Sequence, residues 1–193
     1  SGTELTVQVT KGPIGTKGPR VTTNVLLPGR YLVLLPNSEQ SGVSRKIENR
    51  EERARLKKIV RELDIPEGMG VIIRTAGQGQ RKAYFIRDLA ILLETRKEIT
   101  GLVKAQKAGT CVFEEPDLIE RTVRDCLTED VERIVVDNDA EAERVKKLIS
   151  RISKRALDKV QRYSYSEPIF DRFGVTRQLE TAYTRQVMLP SGG

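Results

Sequence analysis

Several residue types are missing or rare in this chain of 193 residues. It contains no histidine, no tryptophan and two cysteines, and aromatic residues make up 5%. Without histidine, we expect neither a zinc site nor histidine-based catalysis within this chain. Cys111 and Cys126 stand alone, without the close spacing of a metal-binding cysteine pair. We therefore predict two buried thiols, no metal or cofactor in this chain, and a reducing, cytoplasmic setting.

The chain also lacks a long hydrophobic run. No uninterrupted apolar stretch approaches the about 20 residues of a membrane span, so no span is expected. The first residues, SGTELTVQV, contain no signal peptide. The hydrophobic content of 38% is nevertheless enough for folding, and the length allows one good core or two small domains.

The charge is positive and unevenly placed. The formal net charge is +7, with 20 Lys and Arg against 11 Asp and Glu in residues 1–109, and 9 against 12 in residues 110–157. Because neutralising phosphates releases counterions, nucleic acid is the leading partner for such a basic half. A solvated basic surface without a ligand remains the alternative.

Residue patterns predict a mixed order of strands and helices in the first 109 residues. Alternating apolar residues between Gly and Pro indicate strands, and apolar residues three to four apart indicate helices. The predicted elements are a strand at 5–10, a hairpin of strands at 21–27 and 30–36, a helix from Arg50 to Leu63, a short buried strand at 71–75, and a long helix at 83–106.

From residue 110 the pattern changes to alternating strands and helices, which is typical of an α/β layer. The predicted elements are a strand at 110–115, a helix at 116–127, a buried strand at 131–137, a helix at 139–153 with Asp139 as its N-cap, a strand at 159–165, a helix within 167–183, and a final strand from 185. We therefore place a domain boundary near residue 109. Since the last predicted strand reaches LPSGG without a return strand, we expect the chain to be cut from a larger protein.

The stretch VIIRTAGQGQRKA, residues 71–83, suggests an anion pocket. An arginine offers a planar fork for two phosphate oxygens, and a threonine hydroxyl adds a donor. Gly77 and Gly79 would let backbone amides turn inward. We predict that Arg74 and Thr75 bind a terminal phosphate monoester. A plain exit from a strand into a loop is the alternative, and GQGQ is not a Walker loop.

Two further loops are basic. KGPIGTKGPR carries Lys11 and Lys17 on a glycine-rich backbone, which suits contact with a nucleic-acid backbone, although a solvated turn is equally compatible. SGVSRK carries Arg45 and Lys46 and by itself indicates only a basic loop.

The acidic residues offer little for catalysis. Asp137 and Asp139 flank Asn138 at a predicted strand end, where carboxylates could bind a metal, but a loop and a helix cap explain them as well. No second acidic cluster accompanies them. We therefore predict no catalytic residue and no metal ligand in this chain.

Taken together, five stretches resemble the ribonuclease E/G family of endoribonucleases. They are TKGPRVTT, YLVLLPN, SGVSRKI, IPEGMGVIIRTAG and RQVMLPSGG, in family order and with nearly family spacing. The resemblance covers roughly residues 7–193 and implies a role in mRNA decay and in rRNA and tRNA processing.

The resemblance implies a mixed α+β and α/β fold in three pieces. Residues 1–23 would be the tail of an OB-type RNA-binding β-barrel, residues 24–109 an α/β 5′-sensor domain, and residues 110–193 a ribonuclease H-like α/β subdomain. In the family the Arg-Thr of RTAG holds the 5′-monophosphate of single-stranded RNA, which corresponds to Arg74 and Thr75 here. The valine of YLVL, Val33, would line the same pocket.

The resemblance also implies further RNA contacts. The lysine of the barrel loop corresponds to Lys17, with Lys11 on the same loop, and the basic pair after the loop serine corresponds to Arg45 and Lys46. The family's magnesium-dependent catalytic aspartates, and the cysteine pair whose zinc links subunits into oligomers, would lie beyond Gly193. This chain is therefore predicted to bind RNA without cleaving it. A free-standing RNA-binding module and a purely structural domain are the alternatives.

Overall fold

A computed structural model describes residues 2–127, 131–152 and 154–188. The chain divides into two compact units, residues 1–116 and residues 117–193. None of the described helices combines the length and the apolar composition that a membrane crossing requires. The predicted three-part division at residues 23 and 109 stays a prediction.

Unit 1 opens with a two-stranded antiparallel ribbon. Strand β1 (Gln8–Lys11) pairs with β2 (Arg20–Thr22), and most of their residues are exposed. The side-chain amide of Gln8 both donates to and accepts from the backbone of Leu26, at 3.0 and 2.9 Å. The described residues form no closed barrel, so the assignment of this ribbon to an OB-type barrel stays a prediction.

A four-stranded sheet forms the centre of unit 1. Its strands are β3 (Leu27–Pro28), β4 (Leu32–Leu35), β5 (Gly42–Val43) and β6 (Gly70–Ile73), in the spatial order β3-β4-β6-β5. β4 runs antiparallel to β3 and β6, whereas β5 and β6 run parallel. The predicted hairpin is confirmed, but its first strand is interrupted between β2 and β3.

Two helices cover one face of this sheet. Helix α1 (Arg50–Arg61) and helix α2 (Lys82–Ala105) match the predicted helices closely, and α2 is continuous through Gly101. Side chains alternate across a strand, and in β4 and β6 one alternate set is buried with both helices. The buried core comprises Leu32, Leu34, Val71, Ile73, Leu56, Ile59, Val60, Phe85, Leu89 and Leu92 among others. The fold is therefore a mixed α and β fold, as predicted.

Unit 2 is built around two short parallel strands. It contains α3 (Leu118–Cys126), β7 (Ile134–Val136), α4 (Asp139–Ile152), β8 (Val160–Arg162), α5 (Ile169–Arg172) and α6 (Val175–Ala182), with a 3₁₀ helix at Lys154–Lys159. β7 pairs with β8, and Val123, Val145 and Ile149 lie in the core. From α3 to β8 helices and strands alternate as predicted, and the ribonuclease H-like assignment stays a prediction.

Several predictions for residues 110–188 are wrong. Residues 110–115 form no strand, and Cys111 and Cys126 are exposed thiols rather than buried ones. The N-cap of α4 is Asn138, whose side-chain oxygen accepts from the Glu141 amide at 3.1 Å, and not Asp139. Residues 185–188 form no strand, and LPSGG lies outside the described residues.

Candidate functional site

Three segments meet at one edge of the four-stranded sheet. Because β5 and β6 are parallel, with Val43 opposite Ile73, the residues that follow both strands lie at the same edge. The Ser44 amide donates to the Ile73 carbonyl at 2.8 Å. β4 is antiparallel and begins at this edge, where the Arg74 amide donates to the Tyr31 carbonyl at 2.7 Å. We call residues 29–31, 44–46 and 74–75 the basic edge.

Arg74 and Thr75 follow β6 directly. Arg74 has extended backbone and a half-buried side chain, and its guanidinium donates to the carbonyl of Gly29. Thr75 is exposed and begins a 3₁₀ turn, Thr75–Gly77. Among the described residues, no acceptor takes a hydrogen bond from the Thr75 hydroxyl or from the amides of Thr75 and Ala76. The Arg74 guanidinium, the Thr75 hydroxyl and the amides of Thr75 and Ala76 thus come from three consecutive residues that begin at the basic edge.

The glycine loop that follows has its own hydrogen-bond partners. The Gly77 and Gln78 amides donate back to the carbonyls of Arg74 and Thr75, both at 3.0 Å. The Gly79 amide donates to the Glu52 carboxylate at 2.8 Å. The sequence indicated that Gly77 and Gly79 would let the amides of Thr75 and its neighbours turn toward a phosphate. In the structure the amides of Gly77, Gln78 and Gly79 bond to acceptors within the protein, and a phosphate-facing role for the amides of Thr75 and Ala76 stays a prediction.

Local geometry explains why residues 77 and 79 are glycines. A Cβ atom on Gly77 would lie 2.8 Å from the ring of Phe85 and from the Ile73 side chain. Gly79 has a φ of +73°, a conformation that favours glycine. The loop is therefore shaped by packing against the core as well as by its flexibility.

Helix α1 holds this loop through an ion pair. Arg55 donates to both carboxylate oxygens of Glu52, at 2.7 and 2.6 Å, and to the carbonyl of Gln80 at 3.0 Å. The hydrogen bond from the Arg55 side chain, followed by that from the Gly79 amide, lowers the pKa of Glu52 to about 2. Glu52 thus stays ionised at neutral pH and keeps the loop attached to α1.

Val33 lies in the strand next to β6, as predicted. It pairs with Ile72, two residues before Arg74. Both side chains lie on the sheet face opposite to the helices, where Val33 is half-buried and Ile72 is 36% exposed. The structure therefore brings Val33 to the neighbourhood of Arg74 on an adjacent strand.

Arg45 and Lys46 lie on the basic edge and are exposed. Their loop is folded around Arg53 of α1, which donates to the carbonyls of Ser44 and Ile47 at 2.6 and 2.9 Å. The Ser44 hydroxyl oxygen accepts from the Lys46 amide at 3.3 Å. Sequence reasoning treated this loop as separate from RTAG, whereas the parallel pairing of β5 with β6 puts both at one edge.

The sequence profile of the ribonuclease E/G family matches residues 26–193. The chain belongs to the ribonuclease E/G family. It is 38% identical to ribonuclease E of Haemophilus influenzae over 193 residues, which is all of this chain and 20% of that protein. It is 38% identical to ribonuclease G of Escherichia coli over 192 residues, again all of this chain and 39% of the relative.

Ribonuclease E of Escherichia coli is 36% identical over 194 residues, 18% of its length. The chain therefore spans between about a fifth and two fifths of the length of these ribonuclease E and G relatives.

Lys11 and Lys17 lie on the two-stranded ribbon of this ribonuclease E/G family chain and not within the segments of the basic edge. Lys11 ends β1 opposite Arg20, and Lys17 closes a tight turn by pairing its backbone with Ile14 at 3.0 and 3.1 Å. Both side chains are exposed. The family profile begins at residue 26, so these two lysines lie before the matched part.

Sequence reasoning missed the roles of Gly29, which belongs to the basic edge, and of Asp88, which bonds to the turn that contains it. Asp88 is 7% exposed, and its carboxylate accepts from the amides of three successive residues, Arg30, Tyr31 and Leu32. A signal was present: Asp88 lies on the buried face of α2 with Phe85, Leu89 and Leu92, where an acid is unexpected.

The described acidic residues of unit 2 lie apart from one another or in ion pairs. Among the described residues no group of three or more acidic or thiol side chains could hold a metal ion. Asp139 pairs with Arg162, and Asp137 is exposed. The described residues therefore offer no ligand set for magnesium or zinc.

Proposed function

We propose that this chain is the RNA-binding, 5′-monophosphate-sensing part of a ribonuclease E/G-type endoribonuclease that acts in the cytoplasm. In this proposal the basic edge binds the 5′ end of single-stranded RNA. Arg74, Thr75 and Val33 contact the terminal phosphate. Arg45 and Lys46 contact the RNA backbone next to the 5′ end, and Lys11 and Lys17 bind nucleotides further along the RNA.

The observation that carries the proposal is the meeting of two basic segments at the ends of parallel strands. Arg74 follows β6 and Arg45 follows β5, and the backbone bond from Ser44 to Ile73 fixes their register. The negatively charged phosphates of one RNA strand can therefore contact both positively charged segments at once, which suits an electrostatic interface.

The donors at Arg74 suit a terminal phosphate better than an internal one. A phosphate monoester carries about 1.5 to 2 negative charges near neutral pH and has three terminal oxygens. The Arg74 guanidinium offers a planar fork of N–H donors, and one of its nitrogens bonds to the carbonyl of Gly29. The Thr75 hydroxyl and the amides of Thr75 and Ala76 supply further donors. An internal diester, with one charge and two free oxygens, would leave part of this set unpaired.

The test compares two oligonucleotides of one sequence, one with a 5′-monophosphate and one with a 5′-hydroxyl. We expect the monophosphate to bind about tenfold more tightly, a difference of about 1.4 kcal/mol. Arg74→Lys should remove much of this preference, because an ammonium cannot form the bidentate fork. Arg61→Lys is the matched control, since Arg61 is exposed at the end of α1. Equal affinities on the unchanged chain would reject the proposal.

We further propose that cleavage belongs to other parts of a longer protein. In that case magnesium would serve catalysis, and zinc would link subunits, outside these residues. The lack of an acidic cluster among the described residues supports this view. It also supports the second candidate, an RNA-binding module without nuclease activity. Incubating the 193-residue chain with magnesium and labelled RNA tests this part, and we expect binding without cleavage.

A further inference from the structure

The carboxylate of Asp88 organises the turn that begins β4. Its Oδ1 accepts from the Arg30 amide at 3.1 Å, and its Oδ2 accepts from the amides of Tyr31 and Leu32, both at 2.8 Å. The residue is 7% exposed. Three consecutive amides that converge on one anion form a backbone nest. Here the anion is supplied by the protein itself, from a helix 56 to 58 residues further along the chain.

This arrangement specifies a carboxylate and not merely a side chain of the right size. A buried charge is strongly unfavourable unless hydrogen bonds compensate it. An apolar side chain would leave buried amides without acceptors, and an asparagine would turn an N–H₂ group toward N–H donors. Gly29 completes the fit, because a Cβ atom there would lie 2.6 Å from Oδ2 of Asp88.

The other side of the same turn binds Arg74. The Gly29 amide donates to the Leu32 carbonyl at 2.8 Å, and the Gly29 carbonyl accepts from the Arg74 guanidinium. Asp88 thus fixes the amides of residues 30–32, the turn fixes the Gly29 carbonyl, and this carbonyl orients the guanidinium. The connection runs through hydrogen bonds at every step.

We propose that Asp88 is a positioning residue for recognition of the RNA 5′-monophosphate, and that it acts through the Gly29 carbonyl on Arg74. The inference rests on the proposed function of the basic edge and goes beyond it, because it assigns part of the discrimination to a residue that does not contact RNA. Bidentate binding depends on the orientation of the guanidinium plane, so a small displacement of the turn lowers the gain from the terminal phosphate.

The test is a double-mutant cycle on the 193-residue chain with Asp88→Asn and Arg74→Lys. For each variant, affinities for the 5′-monophosphorylated and 5′-hydroxyl oligonucleotides are measured together with the melting temperature. We expect Asp88→Asn to reduce the preference from about tenfold to about twofold, with the affinity for 5′-hydroxyl RNA unchanged. In the Arg74→Lys background the same change should have no further effect. Asp64→Asn, at an exposed position after α1, controls for the lost charge.

Each outcome decides between the two ideas. If the unchanged chain shows no preference, the proposed function fails and this inference falls with it. If the preference exists and persists in folded Asp88→Asn, or if the two losses are additive, the positioning role alone is refuted. Should Asp88→Asn not fold, Gly29→Ala takes its place, since the added methyl group presses on the carboxylate. Loss of folding in both variants would also overturn the proposal, because Asp88 would then be required for the fold itself.

Discussion

Replacing Glu52 by glutamine is expected to release the loop that follows Arg74. The carboxylate receives two hydrogen bonds from Arg55 and one from the Gly79 amide, all between 2.6 and 2.8 Å. A glutamine has one acceptor oxygen at its end and can serve only part of this set. The change removes no large apolar group, so its effect on stability reports the charged contacts.

The pKa of Glu52 sets the upper limit of the effect. A fall from the ordinary value of 4.5 to about 2 corresponds to roughly 3 kcal/mol, because each pKa unit corresponds to about 1.4 kcal/mol. The Glu52 side chain is 17% exposed and that of Arg55 is 41% exposed, so solvent screens the pair. Ion pairs of this kind contribute about 1 kcal/mol or less when exposed. We therefore expect Glu52→Gln to lower the free energy of unfolding by about 1–2 kcal/mol at neutral pH.

The effect should depend on pH in one direction. Because the pKa of Glu52 is lower in the folded protein than in the unfolded chain, its contribution is fully present above pH 4.5 and is lost as the pH falls toward 2. The difference between the unchanged chain and Glu52→Gln should therefore be constant from about pH 5 to 7 and shrink below about pH 4.

Urea unfolding, followed by the native NMR signals of amides in β4 and β6, measures unit 1 by itself. Glu51→Gln is the matched control. Glu51 lies in the same first turn of α1 and is exposed, so this variant loses the same charge near the same helix end. A difference between Glu52→Gln and Glu51→Gln that is absent at neutral pH, or that grows as the pH falls, would refute the argument.

Two further predictions concern the core and the ribbon. Gly77→Ala should destabilise unit 1 by about 1–3 kcal/mol, because its Cβ would meet the Phe85 ring, and Phe85→Leu in the same chain should recover part of the loss in urea unfolding. Lys17→Ala should weaken RNA binding for all sequences and reduce the slope of log affinity against log salt by about 0.7, the value for one lost contact with single-stranded RNA. Lys107→Ala, also exposed, is its control, and an equal slope change in both would contradict a specific role for Lys17.

The helices of unit 1 could be predicted because local signals agreed with the final packing. In α1, Leu56, Ile59 and Val60 follow helical spacing and all are buried, while Asn49 caps the first turn by accepting from the Glu52 amide. Pro66 and Gly68 follow its end. When the apolar spacing, the N-cap and the residues that end the helix all indicate the same element, tertiary contacts are consistent with the local preference and do not change it.

The elements that failed depended on partners distant in the sequence. Residues 110–115 have the β-rich composition of a strand, but no described strand pairs with them. A single sequence shows strand propensity and not the neighbour that a strand requires. The same limit applies to the basic edge, since the parallel pairing of Val43 with Ile73, 30 residues apart in the sequence, brings the segments of Arg45 and Arg74 to the same edge of the sheet.

The roles of charged residues were the hardest to predict. Glu52 and Asp88 look like ordinary helical acids in the sequence, yet both accept hydrogen bonds from backbone amides of loops near Arg74. From the composition, each of them is only one negative charge in the basic half of the chain. Their partners are backbone groups, which have no residue signature, so only the three-dimensional structure identifies them.

The exposed ribbon of β1 and β2 gives unit 1 an uneven resistance to local opening. Amides in β4 and β6 lie beneath a packed core, whereas those of the ribbon depend on their mutual pairing and on the bonds between Gln8 and Leu26. Opening free energies within one protein range from near zero to the global value, and short solvent-exposed pairings lie at the low end. Lys17 is carried on this ribbon, so RNA bound there, as proposed, would also order a segment that opens easily. Part of the attraction to phosphate would then be offset by the loss of chain entropy, and the same freedom would let the lysine follow RNA strands of different shape.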